Sequence, residues 1–342
     1  MIRLKLSWLE LNYLMTERLV FVHLGMSMPK HLIANIKYCK QEFSDVEIVL
    51  IHDAPIESLP NISGISFYRY TSVDHEVTPI LSKLQRNFDF RLGFWLMTKL
   101  RFLALAEYVG KVQSQIVHIE SDVWLAPYFN FKYLQNSEFS LAYPRVDTNR
   151  SIASIIFING IEGARTLREA TLGNPELSDM ELLETLRRDI SKKVISLPSS
   201  FDFHFQFAQN SSLKQEQTIF DGAAIGMHLF GADPRNTFGF LSKYMDFPSV
   251  TPKMSTLHFR LHDERLQISF GHGYSDVVCL HIHSKATTLF IRDYREVFES
   301  VIKERSLGIK KSFLPRVALF CLLELSKLAI LKIIRRIRVR IL

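Results

Sequence analysis

Cysteine is nearly absent. The 342 residues include three, Cys39, Cys279 and Cys321, scattered and odd in number. They have neither the spacing of a thiolate metal site nor that of a disulfide framework, which suits a reducing compartment. A secretory leader is not expected, because Arg3, Lys5, Glu10 and Glu17 break up an N-terminus without a continuous apolar core. The apolar cluster from Val317 to Leu323 is too short for a bilayer, since Glu324 and Lys327 interrupt it and spanning needs ~20 apolar residues. No internal repeat and no low-complexity linker appears, so one continuous body is expected rather than two separable domains. The body also lacks a net positive charge. Residues 310–342 hold nine cations against Glu324 alone, a balance of +8, so residues 1–309 carry −1 of the net +7. Basicity therefore belongs to the tail, and the body gives no reason to invoke nucleic acid.

Apolar sequence, in contrast, is plentiful: 47% of the chain, enough for a full core. Leu19 to Leu24 reads as a fully buried strand, Pro29 to Cys39 as a helix with proline in its first turn, and Glu47 to His52 as a second strand ended by Asp53-Ala54-Pro55. This β-α-β unit implies a parallel sheet with crossover helices. A third strand is expected at Ile65 to Tyr70, and a buried helix at Gly93 to Val109. Further strands fall at Phe139 to Tyr143 and Ser154 to Asn159, with a polar amphipathic helix at 177–190. Leu257 to His262 and Leu266 to Ser269 pattern as a hairpin around Asp263-Glu264.

The most informative stretch is Ile116 to Trp124. An apolar run ends in Glu120-Ser121-Asp122, and alternation along an extended segment points both carboxylates to one side. Two adjacent carboxylates at a strand end need a cation or hydrogen-bond donors unless the turn is exposed. Open α/β sheets bind ligands at that end of their strands. A second stretch, Cys279 to Lys285, places His281 and His283 on one side of a strand, with Lys285 two residues further along that side. Imidazole suits Mn²⁺ and similar ions, and a lysine ammonium is a point donor for phosphate. In the third, Asp221 stands where a helix N-cap would, followed by small residues that permit close approach; a capped, tightly packed helix explains it equally well. Lys99 and Arg101 lie in an otherwise apolar helix and call for partners: the strand-end carboxylates, a diphosphate, or solvent at a helix edge.

The order of these features resembles the GT-A nucleotide-sugar glycosyltransferases, most closely the bacterial polysaccharide and lipopolysaccharide type, over residues 18–295. The resemblance implies an α/β, Rossmann-like fold with a mostly parallel central sheet flanked by helices. It would comprise a catalytic domain over 1–309 and a C-terminal basic amphipathic helix over 310–342. It implies a divalent metal, Mn²⁺ or Mg²⁺, and a nucleotide-sugar donor, UDP-sugars among the candidates, with a glycan or lipid-linked acceptor. Asp122 would then be the main metal ligand. Glu120, where the common motif has Asp, would touch the donor sugar, the ribose, or the metal through water. His283 would complete the metal shell, or His281 if the strand register differs. Lys285 would hold the leaving phosphate, with Lys99 and Arg101 near the diphosphate and His23 and Asp53 near the nucleoside. Asp221 would be the catalytic group at the acceptor hydroxyl, a general base if the reaction inverts.

Three other readings compete. A haloacid-dehalogenase-type phosphatase needs an aspartate nucleophile where Glu120 stands. A sugar-phosphate nucleotidyltransferase should carry a glycine-rich loop after the first strand, where only Gly25 is present. A non-catalytic, membrane-associated scaffold would have no need of the carboxylates, histidine and lysine together. The alternation of apolar clusters and cations over 313–342 suits a helix lying on anionic lipid, with a helix packed on the body or a partner interface as the alternatives; the lipid reading implies a cytoplasmic enzyme peripheral to the inner face of a membrane.

Overall fold

The computed structural model describes residues 17–25, 27–71, 94–134, 138–200, 202, 218–230, 258–269, 273–282 and 294–306. Two sheets organise them. The strands of the larger are β1 (Arg18–His23), β2 (Glu47–His52), β3 (Ser66–Arg69), β4 (Ile116–Ile119), β6 (Leu141–Pro144), β7 (Ile155–Ile158) and β8 (Val194–Leu197), in the order β3-β2-β1-β4-β7-β6-β8. Pairing is parallel from β3 through β4 and between β6 and β8; β7 runs antiparallel to both its neighbours. This is the expected α/β architecture, a mostly parallel central sheet flanked by helices.

Strand alternation divides the core between the two faces of this sheet. Leu19, Phe21, Ile48, Leu50, Val117 and Ile119 pack on one side with Leu32 and Ile36 of α1 (Lys30–Glu42). Val20, Val49, Ile51, Ile116 and Ile156 pack on the other, against α2 (Phe94–Val112) and α3 (Gly160–Gly173) through Phe102, Leu105, Val109 and Leu167. Gly163 is what lets α3 settle there, since a Cβ at that position would lie 2.3 Å from the carbonyl oxygen of Ser140. The next helix, α4 (Asp179–Asp189), starts at a reciprocal capping box: the Ser178 hydroxyl accepts from the Glu181 N–H, and the Glu181 side chain accepts from the Ser178 N–H.

The smaller sheet joins β5 (Val123–Leu125) to a late part of the chain. Its order is β10 (His258–His262), β11 (Arg265–Ser269), β12 (Tyr274–His281), β5, with β9 (Thr218–Phe220) parallel to β12. The β10–β11 hairpin turns at Asp263 and Glu264, both with positive φ, as a two-residue loop matched to strand twist requires. A short helix, α5 (Ala224–Phe230), follows β9. Finally α6 (Tyr294–Ser306) sets Tyr294 and Phe298 against the buried Trp124 of β5, ring centroids 5.3 and 5.5 Å away.

Candidate active site

The site forms where the two sheets meet. Strand β4 ends at Ile119, the Glu120 N–H donates to the carbonyl of Ser154 (3.0 Å), and the chain reverses so that Val123 N–H donates to Glu120 O (3.1 Å). Helix α1 grips this turn. Asn35, buried, donates its side-chain amide to the carbonyls of Ser121 (3.2 Å) and Val123 (2.7 Å), and His31 meets the Ser121 hydroxyl at 3.2 Å. The chain then enters β5, which pairs antiparallel with β12 so that Val123 stands opposite His281. The Ile282 N–H donates to the Asp122 carbonyl (2.8 Å), holding the end of β12 against the turn.

Three side chains converge as a result. His281 Nε2 lies 3.6 Å from Glu120 Oε2 and 3.5 Å from Asp122 Oδ1, and one ligand atom from each residue lies within 4.8 Å of the others. Adjacent ligands about 2.1 Å from an octahedral ion stand roughly 3 Å apart and opposite ones roughly 4 Å, so this spacing fits one divalent cation after small adjustment. Two carboxylate oxygens and one imidazole nitrogen form a mixed donor set, which suits a transition ion such as Mn²⁺ better than Mg²⁺, whose sites are built from oxygen. Burial opposes a charge on His281, but Asp122 outweighs it, with Glu120 and Asp221 adding to the effect, and its pKa is pushed up to about 10.

Arg101 of α2 stands behind Glu120. One guanidinium nitrogen donates to Glu120 Oε1 and another to Asp179 Oδ2 (3.2 Å), the first residue of α4. Arg101 therefore reaches the site as the partner of its first carboxylate. Burial pushes the Asp179 carboxyl up to about 6 despite the guanidinium beside it. His118, two residues before Glu120, is fully buried and donates through Nδ1 to the Val20 carbonyl (2.9 Å); burial first, and Arg101 second, bring its pKa down to about 3, so it stays neutral.

Two expectations need correction. Lys99 does not face the carboxylates: it is buried, and its ammonium donates to the carbonyls of Asn174 (2.7 Å) and Pro175 (2.8 Å) at the end of α3. One step of a helix turns ~100°, so Lys99 and Arg101, two residues apart, leave on nearly opposite faces. Nor does Asp221 face an acceptor. It is fully buried, and its carboxylate is occupied by the N–H groups of Ala223, Ile225, Gly226 and His281, which is the close-packed, capped turn that was the plainer reading of this segment. His283 and Lys285 lie outside the described residues. His281, the alternative to His283, is the histidine that joins the carboxylates.

His23 and Asp53 stand at the ends of β1 and β2. His23 pairs in register with His52, and continuing the β1–β4 register places His23 level with Ser121. Gly25, at φ +138°, turns its N–H onto Asp53 Oδ1 (2.7 Å), and His23 Nε2 donates to the Ser27 carbonyl (3.0 Å). Burial lowers the pKa of both His23 and His52.

Sequence reasoning did not find Asp179, Asn35 or His31. Asp179 carried one visible signal, the Ser178/Glu181 capping box that starts its helix; nothing local connected it to Arg101, 78 residues earlier.

No protein-family model and no curated protein matches the sequence. Three solved structures similar to this one are glycosyltransferases by name. The galactosyltransferase LgtC, in complex with donor and acceptor sugar analogues, shares 11% identity, over 83% of this chain and 95% of its own, at a TM-score of 0.41. Mouse xyloside xylosyltransferase 1 shares 10% identity over 54% of this chain and 85% of its own, at 0.35. The glycosyltransferase GlyE of Streptococcus pneumoniae TIGR4 shares 15% identity over 55% of this chain and 46% of its own, also at 0.35.

Proposed function

We propose that this protein is a metal-dependent glycosyltransferase that moves a sugar from a nucleotide-diphosphate sugar to a glycan or lipid-linked acceptor. The observation that carries the reading is the convergence of Glu120, Asp122 and His281 at the carboxyl end of β4, where α/β sheets of this kind bind ligands. Asp122 and His281 hold the ion, and Glu120 reaches it directly or through water while Arg101 fixes its far oxygen. A bound divalent cation neutralises charge that develops on a departing diphosphate. His23 and Asp53, at the ends of β1 and β2, are assigned to the nucleoside. Lys285 is assigned to the leaving phosphate on the strength of its place in the sequence, three residues after Ile282. Asp221, being enclosed, serves this reaction only through the residues it supports.

The test is hydrolysis of UDP-, GDP- and CMP-sugars by the purified protein, with Mn²⁺ and with EDTA. Release of one nucleotide class that depends on the ion is expected. The Asp122→Ala variant should remain folded by circular dichroism and lose roughly 10³-fold or more in rate, the equivalent of several kcal/mol of charge stabilisation. Normal turnover by a folded Asp122→Ala protein overturns the metal assignment, and a protein inert towards every donor favours the scaffold reading.

Residues 1–309 are proposed as the catalytic body and 310–342 as a basic amphipathic segment that rests on anionic lipid at the cytoplasmic face of a membrane. Among the described residues no helix is long and apolar enough to cross a membrane. Deleting 310–342 should abolish sedimentation with anionic vesicles at low salt and spare hydrolysis of the soluble donor. Full-length protein that stays in the supernatant rules the contact out.

A further inference from the structure

Asp221 and Gly226 occupy an unusual place for residues outside the candidate ion site: they close on the backbone of one of its ligands. Asp221 Oδ1 accepts from the N–H groups of Ala223 and Ile225, both at 3.0 Å, and Oδ2 accepts from those of Gly226 (2.8 Å) and His281 (3.2 Å). One carboxylate thus ties the first turn of α5 to the end of β12. Gly226 brings that turn against the strand; a Cβ on it would lie 1.9 Å from the carbonyl oxygen of His281 and 2.8 Å from its carbonyl carbon. Backbone cannot yield as a flexible side chain would, so any larger residue must push α5 away from His281 or His281 away from its place. The opposite side of the turn has little room either, because a Cβ on Gly222 would stand 3.2 Å from the Arg145 carbonyl oxygen and 3.3 Å from Ile152.

The same turn addresses the imidazole. His281 Nδ1 lies 3.2 Å from the carbonyl oxygen of Gly222. A carbonyl only accepts, so Nδ1 carries a hydrogen whether or not the ring is charged, and Nε2, which faces Glu120 and Asp122, is the nitrogen left to exchange its proton for a cation. The tether to Asp221, the close packing at Gly226 and the hydrogen bond to Gly222 fix three separate things: the height of the His281 backbone, its distance from α5, and the face and tautomer of its ring.

We propose that the Asp221–Gly226 turn is the outer support of the ion site, with Asp221 and Gly226 as positioning residues that act through His281. The proposal rests on the reading of Glu120, Asp122 and His281 as a divalent-metal site. Mn²⁺ itself is the probe. Binding of Mn²⁺ to the full-length protein, followed by electron paramagnetic resonance of the free ion, is compared for wild type, Gly226→Ala and Asp221→Asn. Both variants should bind about tenfold to a hundredfold more weakly, the usual cost of losing an outer-shell partner. Their donor hydrolysis should recover towards the wild-type maximum as Mn²⁺ is raised, a shift in the ion concentration needed rather than in the maximal rate. Wild-type binding in both folded variants overturns the proposal and leaves the metal site standing. Absence of Mn²⁺ binding by the wild-type protein overturns both. The third measurement needs no support variant to fold: ¹⁵N-histidine NMR of the wild-type protein with diamagnetic Zn²⁺ in place of Mn²⁺, His281 assigned through His281→Gln. A hydrogen on Nδ1 and ligation through Nε2 are expected, and the reverse tautomer overturns the proposal.

Discussion

Arg101 lies between two carboxylates and satisfies both with different nitrogens of one planar group, which a lysine has no geometry to do. Replacing it with methionine strands Glu120 and Asp179 in a largely buried place. Breaking a buried pair of this kind costs about 3–5 kcal/mol, and Arg101→Met should lose stability on that scale in a denaturant titration. Adding Asp179→Leu should return part of the lost stability, because one of the two stranded charges is gone, without returning activity, because Glu120 is still unheld. Non-additivity of the pair is the measurement; simple addition refutes the link. Lys99 has an effect visible in pH. Burial brings its pKa down to about 8 in the folded protein, against 10.5 ordinarily. Between those values the unfolded chain binds the extra proton, so stability contributed through Lys99 rises with pH there and is constant below about 8. The difference in unfolding free energy between wild type and Lys99→Met should therefore move in favour of wild type from pH 8 to 10.5. A flat difference means that Lys99 titrates normally.

Elements defined by their own residues were legible in the sequence; those defined by partners were not. The second strand is found at Glu47–His52 as read, and the hairpin around Asp263-Glu264 is where its turn residues put it, because alternation and turn chemistry are local. Strand β5 has three residues and no periodicity of its own; it exists by pairing with β12, and its register selects His281. That register was the open question between His281 and His283, and no count along one strand could answer it. The reading of Asp221 shows the same division. A capping aspartate followed by small residues was visible, but whether that turn faces a substrate or the back of a ligand strand depends on β12, which meets it 60 residues later.

At the level of the whole molecule, the candidate ion site is a suture between two sheets. Its carboxylates belong to the turn leaving β4 and its imidazole to the last residue of β12, so Asp122 and His281 must be brought together across 159 positions of chain. Closing so long a loop is entropically unfavourable. The prediction is that the two halves of the site join only on the native side of the rate-limiting barrier. A ligand that binds only the joined site slows its opening and leaves its assembly unassisted. Saturating Mn²⁺ should accordingly lower the unfolding rate, measured by a jump into denaturant, while the refolding rate stays as it is without the ion. Faster refolding in Mn²⁺ would mean that the two sheets meet early. The closure of these two strand ends thus makes the ion, on this reading, a guard of the finished fold's lifetime as well as a participant in its chemistry.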